Sequence, residues 1–229
     1  RFEGVDTVAD ITLNGEMIGS LFTRAELEEK VCTAFTNCYL QGETPNPCII
    51  CNPNLKFRNL LEHAKLMGAD YIATGHYARA EGGMLFKGQP SNDQSYMLCR
   101  LTREQASRLI LPLGGYEKSA VRQLAEDFGL DTAKKPDSME ICFIPDKDYI
   151  GWMAERTQLP TDGSFIFDGK PIGPHDGICR YTVGQRRPGL IQQRKVYISR
   201  IDAKSHNIEL CFWDDLFKTE VNAKNFNWL

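Results

Sequence analysis

The sequence lacks any apolar run that approaches the roughly 20 residues a membrane-spanning helix needs. It also lacks a strong charge of either sign: Lys and Arg number 27, Asp and Glu number 30, and the net charge is −3. We therefore predict no membrane protein, and any nucleic-acid binding must come from local basic patches. The length of 229 residues suits one large or two modest domains.

Cysteine is too sparse for a disulfide-stapled scaffold, since the chain has eight among 229 residues. The chain begins at Arg1 with neither an initiator Met nor the apolar segment of a secretory signal. We therefore expect a fragment of a cytoplasmic protein. In such a reducing compartment, closely spaced cysteines are metal ligands or catalytic thiols more often than disulfides.

The first part of the chain alternates between helical and strand patterns. Apolar residues at helical spacing predict helices over 23–40 and 57–67, and a short strand follows at 70–75. The segment 43–54 is rich in Pro and Asn, so we predict a structured loop there. Helix and strand patterns recur over 101–128. This alternation is typical of an α/β domain.

The pattern changes after about residue 150. Short β-branched and aromatic runs at 164–167, 195–202 and 207–212 predict strands joined by turns. We place a domain boundary within 150–165.

The strongest local signal is the pair Cys48 and Cys51 in a segment with two prolines. Two thiols three residues apart can chelate a metal or cluster, or cycle as a dithiol. Lys56 lies just beyond, and a nearby ammonium group lowers the pKa of a thiol. The alternative is a pair of buried thiols that happen to be close.

Two further candidates stand at the ends of predicted strands or loops. Cys142 follows a charged loop within Ile-Cys-Phe-Ile, and its alternative reading is a core cysteine on a short strand. Gly75 and His76 follow a predicted strand, at the end where α/β sheets bind ligands. The alternative for His76 is a structural histidine with satisfied hydrogen bonds.

Two polar segments suit contacts with RNA or a nucleotide. Asn92, Asp93 and Gln94 precede an aromatic residue, and their alternative role is to cap a helix. Arg186 and Arg187 end a predicted basic turn and suit phosphate contacts, although such pairs are often merely solvated.

Taken in chain order, these segments resemble the bacterial tRNA-specific 2-thiouridylases, which thiolate the wobble uridine of certain tRNAs. The matching stretches are TPNPCIICN (44–52), LKF (55–57), ATGHYAR (73–79), DQSYML (93–98), KKPDSMEICFIPDKDY (134–149) and G-x-H-x-G…YTVGQRR (173–187). They cover most of 43–187 in collinear order.

The resemblance implies an α/β fold with three parts. Residues 1–155 would form a parallel-sheet nucleotide-binding domain of the pyrophosphatase-loop type, which also carries the catalytic groups. Residues 156–215 would form a small, mostly β central domain that contacts tRNA. Residues 216–229 would begin a C-terminal β-barrel.

The resemblance also implies a reaction and its participants. ATP, with Mg²⁺, would adenylate the oxygen on carbon 2 of the uridine, and a persulfide on Cys142 would deliver sulfur. Cys51 would assist as nucleophile or resolving thiol. The sulfur would come from a cysteine desulfurase or a sulfur-relay protein. The remaining implied contacts are Asn46, Pro47 and Cys48 with the target base, Gly75 with ATP, and His76, Asn92, Asp93 and Gln94 with the tRNA.

Two departures from the family pattern keep alternatives open. Many members have Asp at the position of Cys48, so Cys48, Cys51 and Cys142 are together candidate ligands of a [4Fe-4S] cluster with one iron open. The phosphate loop SGGVDSS is missing, and 4–7 is only an echo of it. The rival hypothesis is therefore a catalytically incomplete RNA-binding or iron–sulfur-binding module. A small-molecule pyrophosphatase is disfavoured, because it would need neither the basic segment nor a second domain.

Overall fold

The structure is a computed structural model that describes residues 10–13, 16–20, 22–134 and 141–228. The echo of a phosphate loop at 4–7 and the residues 135–140 before Cys142 lie outside the described residues. Within the described part of the chain, no helix is both long and apolar enough to cross a membrane. The chain divides into two compact units, the first formed by 1–32, 47–139 and 225–229 and the second by 33–46 and 140–224.

The strands, in chain order, are β1 Asp10–Leu13, β2 Glu16–Ser20, β3 Ile72–Ala73, β4 Ala78–Glu81, β5 Met84–Lys87, β6 Leu109–Ile110, β7 Ser164–Phe167, β8 Lys170–Pro174, β9 Arg186–Ile191, β10 Arg194–Asp202 and β11 Asn207–Phe212. The α-helices are α1 Arg24–Leu27, α2 Thr33–Leu40, α3 Pro47–Cys51, α4 Phe57–Leu66, α5 Arg103–Ser107, α6 Lys118–Asp127 and α7 Tyr149–Ala154. Two π-helical turns, Glu28–Cys32 and Asn52–Lys56, interrupt the helical runs.

The first unit contains the parallel strand pairing that the helix–strand alternation predicts. β3 and β6 run parallel, with Ile72 opposite Leu109. β4 and β5 form a hairpin whose two-residue turn, Gly82 and Gly83, has φ of 58° and 80°. Two positive φ values in succession are what a type I′ turn requires, and glycine adopts them without strain. The α/β class is therefore confirmed.

One apolar cluster holds α4 against these strands. Its buried members are Phe57, Leu61, Ala64, Ile72, Ala78, Leu98, Leu101, Leu109 and Leu111. Because β3 is anchored in this cluster by Ile72, the residues that follow β3 have a fixed position at the edge of the unit. The predicted strand over 70–75 is thus confirmed, although the paired part is shorter.

The predicted loop over 43–54 is wrong in its second half, where the chain is helical. Pro47 opens α3, a position at which a helix needs no N–H. Pro53 then falls where a regular helix would need its N–H, and the chain widens into a π turn in which Phe57 N–H donates to Asn52 O. The carbonyl of Ile50 accepts a hydrogen bond from the side chain of Asn54, through Nδ2, at 2.9 Å.

The second unit contains a five-stranded sheet in the order β8-β7-β11-β10-β9. β7 and β11 are parallel, and the other neighbouring pairs are antiparallel. The three predicted strands are confirmed as β7, β10 and β11, which agrees with a small β domain. The predicted limits of the three parts stay predictions.

The predicted basic turn is wrong for Arg186 and Arg187, which lie on strand β9. Tyr197 and Val196 of β10 are their antiparallel partners. The two arginines lie on a strand because β10 offers an edge with which residues 186–191 pair. Turn-forming residues in the sequence do not reveal such pairing with another strand. β8 was missed because Pro171 and Pro174 obscure its strand pattern, as prolines are tolerated only at sheet edges.

Phe35 anchors α2 in the second unit. Its ring is fully buried and meets the rings of Tyr39, Phe143 and Trp152 edge-on, with centroid distances of 5.1, 5.4 and 6.0 Å. Such contacts add to the free energy gained from apolar burial.

We predict that Phe35→Ala lowers the free energy of unfolding by about 3–5 kcal/mol, because it removes a buried aromatic ring and leaves a cavity. Urea denaturation followed by Trp fluorescence measures this. Phe217→Ala, at a ring that is 66% exposed, is the control and should change it by less than about 1 kcal/mol. Equal losses in both variants would contradict this role of Phe35.

Candidate functional site

An open cleft of about 340 Å³ lies in the first unit. It is lined by the start of the helical segment 47–66, the residues after β3, and the short helical turn Ser95–Leu98 with its preceding residue. The lining residues are Cys48, Asn52, Lys56, Thr74, Gly75, His76, Gln94 and Met97. The structure thus brings together four residues predicted from sequence: Cys48, Gly75, His76 and Gln94.

The π turn places Asn52 in this cleft and ties it to the opposite wall. Asn52 is 1% exposed, and its Nδ2 donates to Met97 O at 2.9 Å. A carbonyl can only accept, so this bond determines which amide atom is nitrogen and which is oxygen. Gln105 Nε2 donates to Pro53 O at 2.8 Å and holds the turn from behind.

Gly75 gives the cleft an open wall at the end of β3. A Cβ built on Gly75 would meet only Leu113 Cδ1, at an ordinary 3.6 Å, and the backbone is not in the left-handed region. Neither local packing nor the backbone therefore requires glycine here. Gly75 therefore contributes only backbone atoms to the lining of the cleft.

His76 is a neutral imidazole at the cleft surface. Its Nδ1 lies 2.9 Å from Thr74 Oγ1, and its ring packs on Phe57 with centroids 5.5 Å apart. Burial, together with the positive charge of Lys56, lowers the pKa of His76 to about 4. At neutral pH, one ring nitrogen therefore donates a hydrogen bond and the other accepts one.

Gln94 ties the loop before the turn to the chain after His76. Its Oε1 accepts from Tyr77 N–H at 3.0 Å, and its own backbone N–H donates to Tyr77 O at 2.8 Å. These two bonds fix Gln94 in the cleft wall. Neither of them uses its side-chain Nε2.

Asn92 and Asp93 do not line the cleft and are engaged with the backbone. Asp93 Oδ1 accepts from the N–H of Gly88 at 2.7 Å and of Ser95 at 3.2 Å. Burial alone would raise the pKa of Asp93, but these bonds outweigh it and lower the pKa. Asn92 Nδ2 donates to Tyr116 O at 3.2 Å. The alternative of a side-chain cap is therefore wrong for the turn Ser95–Leu98, whose N-cap residue, Gln94, makes no side-chain capping bond.

The two thiols of α3 differ in exposure. Cys51 is buried at 6% exposure, whereas Cys48 is half-buried and lines the cleft. None of the eight cysteines forms a disulfide in the structure. Among the described residues, no three His, Cys, Asp or Glu side chains are grouped so as to hold a metal ion. The cluster alternative with Cys48, Cys51 and Cys142 as ligands stays a prediction.

The other candidates belong to the second unit. Cys142 is exposed on a turn that is followed by buried Phe143 and Ile144, so the core-strand alternative for Cys142 is wrong. Arg187 stacks its guanidinium over the ring of Phe165, 4.6 Å from the centroid. Arg186 is exposed. Asn46 ends the segment 33–46 and is half-buried.

Sequence reasoning missed Asn52, Thr74 and Met97 as cleft residues and considered Lys56 only as a neighbour of the thiols. The four-residue spacing from Asn52 to Lys56 could have indicated both as cleft residues. In the π turn that Pro53 causes, this spacing brings the two residues to one side of the turn. No sequence pattern indicates that Met97 contributes through its carbonyl.

The motif G-x-H-x-G of the second unit has a structural explanation. Gly177 N–H donates to His175 Nδ1 at 3.0 Å, so the proton is on Nε2, which bonds His206 O at 2.8 Å. His175 is buried, and both ring nitrogens are satisfied.

Comparison with known families gives two matches in chain order. Residues 10–146 match the model described as the tRNA methyl transferase HUP domain. Residues 157–211 match the tRNA methyl transferase PRC-barrel domain.

Curated relatives match most of the chain. The chain is 44% identical over 211 residues to the tRNA-specific 2-thiouridylase MnmA 2 of Thermoanaerobacter sp. (strain X514). This match covers 88% of this chain and 58% of the relative. It is 42% identical over 212 residues to the tRNA-specific 2-thiouridylase MnmA of Rickettsia typhi, in a match that covers 89% of this chain and 59% of the relative. It is 39% identical over 216 residues to the tRNA-specific 2-thiouridylase MnmA of Clostridioides difficile, in a match that covers 90% of this chain and 60% of the relative. The chain thus spans about three-fifths of these relatives' length.

We predict that His76 contributes to the pH dependence of stability. Its pKa of about 4 in the folded chain lies below the ordinary 6.5, so the unfolded state binds more protons between these pH values. The free energy of unfolding therefore falls as the pH drops from about 6.5 to about 4, by at most about 1.4 kcal/mol per pH unit. Urea denaturation at pH 7 and pH 5 should show a weaker pH dependence in His76→Gln. The same dependence in both proteins would contradict a neutral, half-buried His76.

Proposed function

Because the chain belongs to the tRNA-specific 2-thiouridylase family, we propose that it acts in the ATP-dependent 2-thiolation of the wobble uridine of tRNA. The observation that carries the proposal is the cleft of the first unit, which gathers Cys48, Gly75 and Gln94 from three separate family motifs. The description of the family model names methyl transfer, but thiols at motif positions suit sulfur transfer.

The base end of the proposed site is formed by the start of α3. Asn46, Pro47 and Cys48 would face the target uridine, with Cys48 lining the cleft. His76 and Gln94 would donate to the RNA, since a neutral imidazole and a primary amide both offer an N–H. Asn92 and Asp93 would act mainly by holding the loop that presents Gln94. Arg186 and Arg187 would contact backbone phosphates.

The nucleotide end would lie at Gly75, where the open wall allows close approach. ATP is the second substrate in this proposal, and it would make the oxygen on carbon 2 a good leaving group. Mg²⁺ would be held mainly by the phosphate oxygens, as is usual for this ion. The match to a HUP domain is consistent with nucleotide use.

The sulfur would be carried on Cys142 as a persulfide. The exposure of Cys142 allows a cysteine desulfurase or relay protein to load it. The terminal sulfur attacks carbon 2, AMP leaves with the former oxygen, and the Cys51 thiolate then attacks the Cys142 sulfur. This releases 2-thiouridine and leaves a Cys51–Cys142 disulfide, which a cellular dithiol reduces before the next cycle.

We predict that Cys142→Ser abolishes thiolation in the complete protein while tRNA binding stays within about twofold, because serine cannot carry sulfane sulfur. Mass spectrometry of digested tRNA measures 2-thiouridine, and filter binding measures affinity. Cys99→Ser, at another exposed cysteine, is the matched control and should retain thiolation. Thiolation by Cys142→Ser at the control rate would overturn the persulfide assignment.

We also predict that Gly75→Ala folds normally, because its methyl group meets only Leu113 Cδ1 at an ordinary 3.6 Å. It should bind AMP about tenfold more weakly, because the methyl group is added to a lining residue of the cleft in which we propose the nucleotide to bind. Gly115→Ala is the control, since a Cβ at Gly115 meets nothing within 4 Å. Calorimetric titration with AMP and a thermal unfolding curve measure the two effects. Unchanged AMP affinity in Gly75→Ala would contradict the placement of the nucleotide.

A further inference from the structure

Lys56 is a cation in the cleft for which the proposed reaction has assigned no role. It ends the π turn, is half-buried, and lines the cleft together with Cys48, Gly75 and His76. No carboxylate is among the lining residues, and among the described residues none forms an ion pair with Lys56. A half-buried ammonium group without a counter-charge favours an anion in its surroundings.

Asn52, four residues earlier on the same turn, gives a second and independent observation. Its Nδ2 is committed to Met97 O, and its Oδ1 has no hydrogen-bond partner among the described residues although it is buried. Buried acceptors are almost always satisfied, so an orphaned one in a cleft wall indicates a donor that the ligand brings. Asn52 and Lys56 thus both indicate a ligand on the same side of the turn.

The charge of the cleft narrows the class of ligand. His76 is neutral, so Lys56 carries the only formal charge of the described lining residues. A neutral base alone would leave that charge uncompensated. A phosphate group compensates it, and a lysine ammonium is a common phosphate partner because it acts as a compact point charge with three donors.

We propose that Lys56 binds the phosphate group of the nucleotide that occupies this cleft, while an N–H group of the same ligand donates to Asn52 Oδ1. The inference rests on the proposed function in taking the ligand to be a nucleotide. Gly75 lines the same cleft and leaves room for the ligand beside Lys56. The role is one of binding and positioning a charged group.

The test compares AMP with adenosine, which lacks the phosphate, by isothermal titration calorimetry. Lys56→Gln should weaken AMP binding about tenfold and leave adenosine binding within about twofold, since only AMP loses a charge-assisted bond. Lys56→Arg, which keeps the charge, should bind AMP within about threefold of the unchanged chain. Lys65→Gln, on the exposed side of α4, is the matched control and should bind both ligands normally.

Three results would overturn the proposal, and they separate it from the proposed function. Equal weakening of AMP and adenosine by Lys56→Gln would mean that Lys56 only supports the shape of the cleft. Unchanged AMP affinity in Lys56→Gln would remove Lys56 from the site and leave the nucleotide cleft standing. Failure of the unchanged chain to bind AMP would overturn this proposal together with the nucleotide part of the proposed function.

Discussion

The candidate site depends on one backbone constraint, the proline at position 53. Pro53 cannot donate the hydrogen bond that a regular helix needs there, and the chain widens into the π turn Asn52–Lys56. Side-chain amides stabilise the widened turn: Asn54 donates a hydrogen bond to the carbonyl of Ile50, and Gln105 donates one to the carbonyl of Pro53. The turn therefore has a defined shape that presents Asn52 and Lys56 to the cleft.

The electrostatics of the cleft follow from that geometry. Burial of the His76 ring, together with the nearby positive charge of Lys56, lowers the pKa of the ring and keeps it neutral. The result is a site with one cation, one neutral imidazole and several amide groups. Such a site suits a ligand that has both an anionic group and hydrogen-bonding base edges, which is the composition of a nucleotide.

Sequence patterns predicted the elements whose cause is local and missed those whose cause is distant. Helical spacing predicted α4, and short β-branched and aromatic runs predicted β7, β10 and β11, because both signals reflect the local sequence. The helical nature of 47–56 was missed because the partners that stabilise it, such as Gln105, lie far away in sequence. The strand position of Arg186 was missed for the same reason, since its pairing with β10 is set by the sheet. Of the residues that the motif resemblance indicated, Cys48, Gly75, His76 and Gln94 line one cleft. The orphaned acceptor of Asn52 is visible only in three dimensions.

The central claim is that the cleft beneath Gly75 and His76 is where a nucleotide binds. A crystal structure of this chain with saturating AMP tests it most directly. We predict the phosphate within hydrogen-bond distance of Lys56 Nζ and the nucleotide against Gly75, with an N–H donor at Asn52 Oδ1. AMP bound elsewhere on the chain, with this cleft empty, would contradict it.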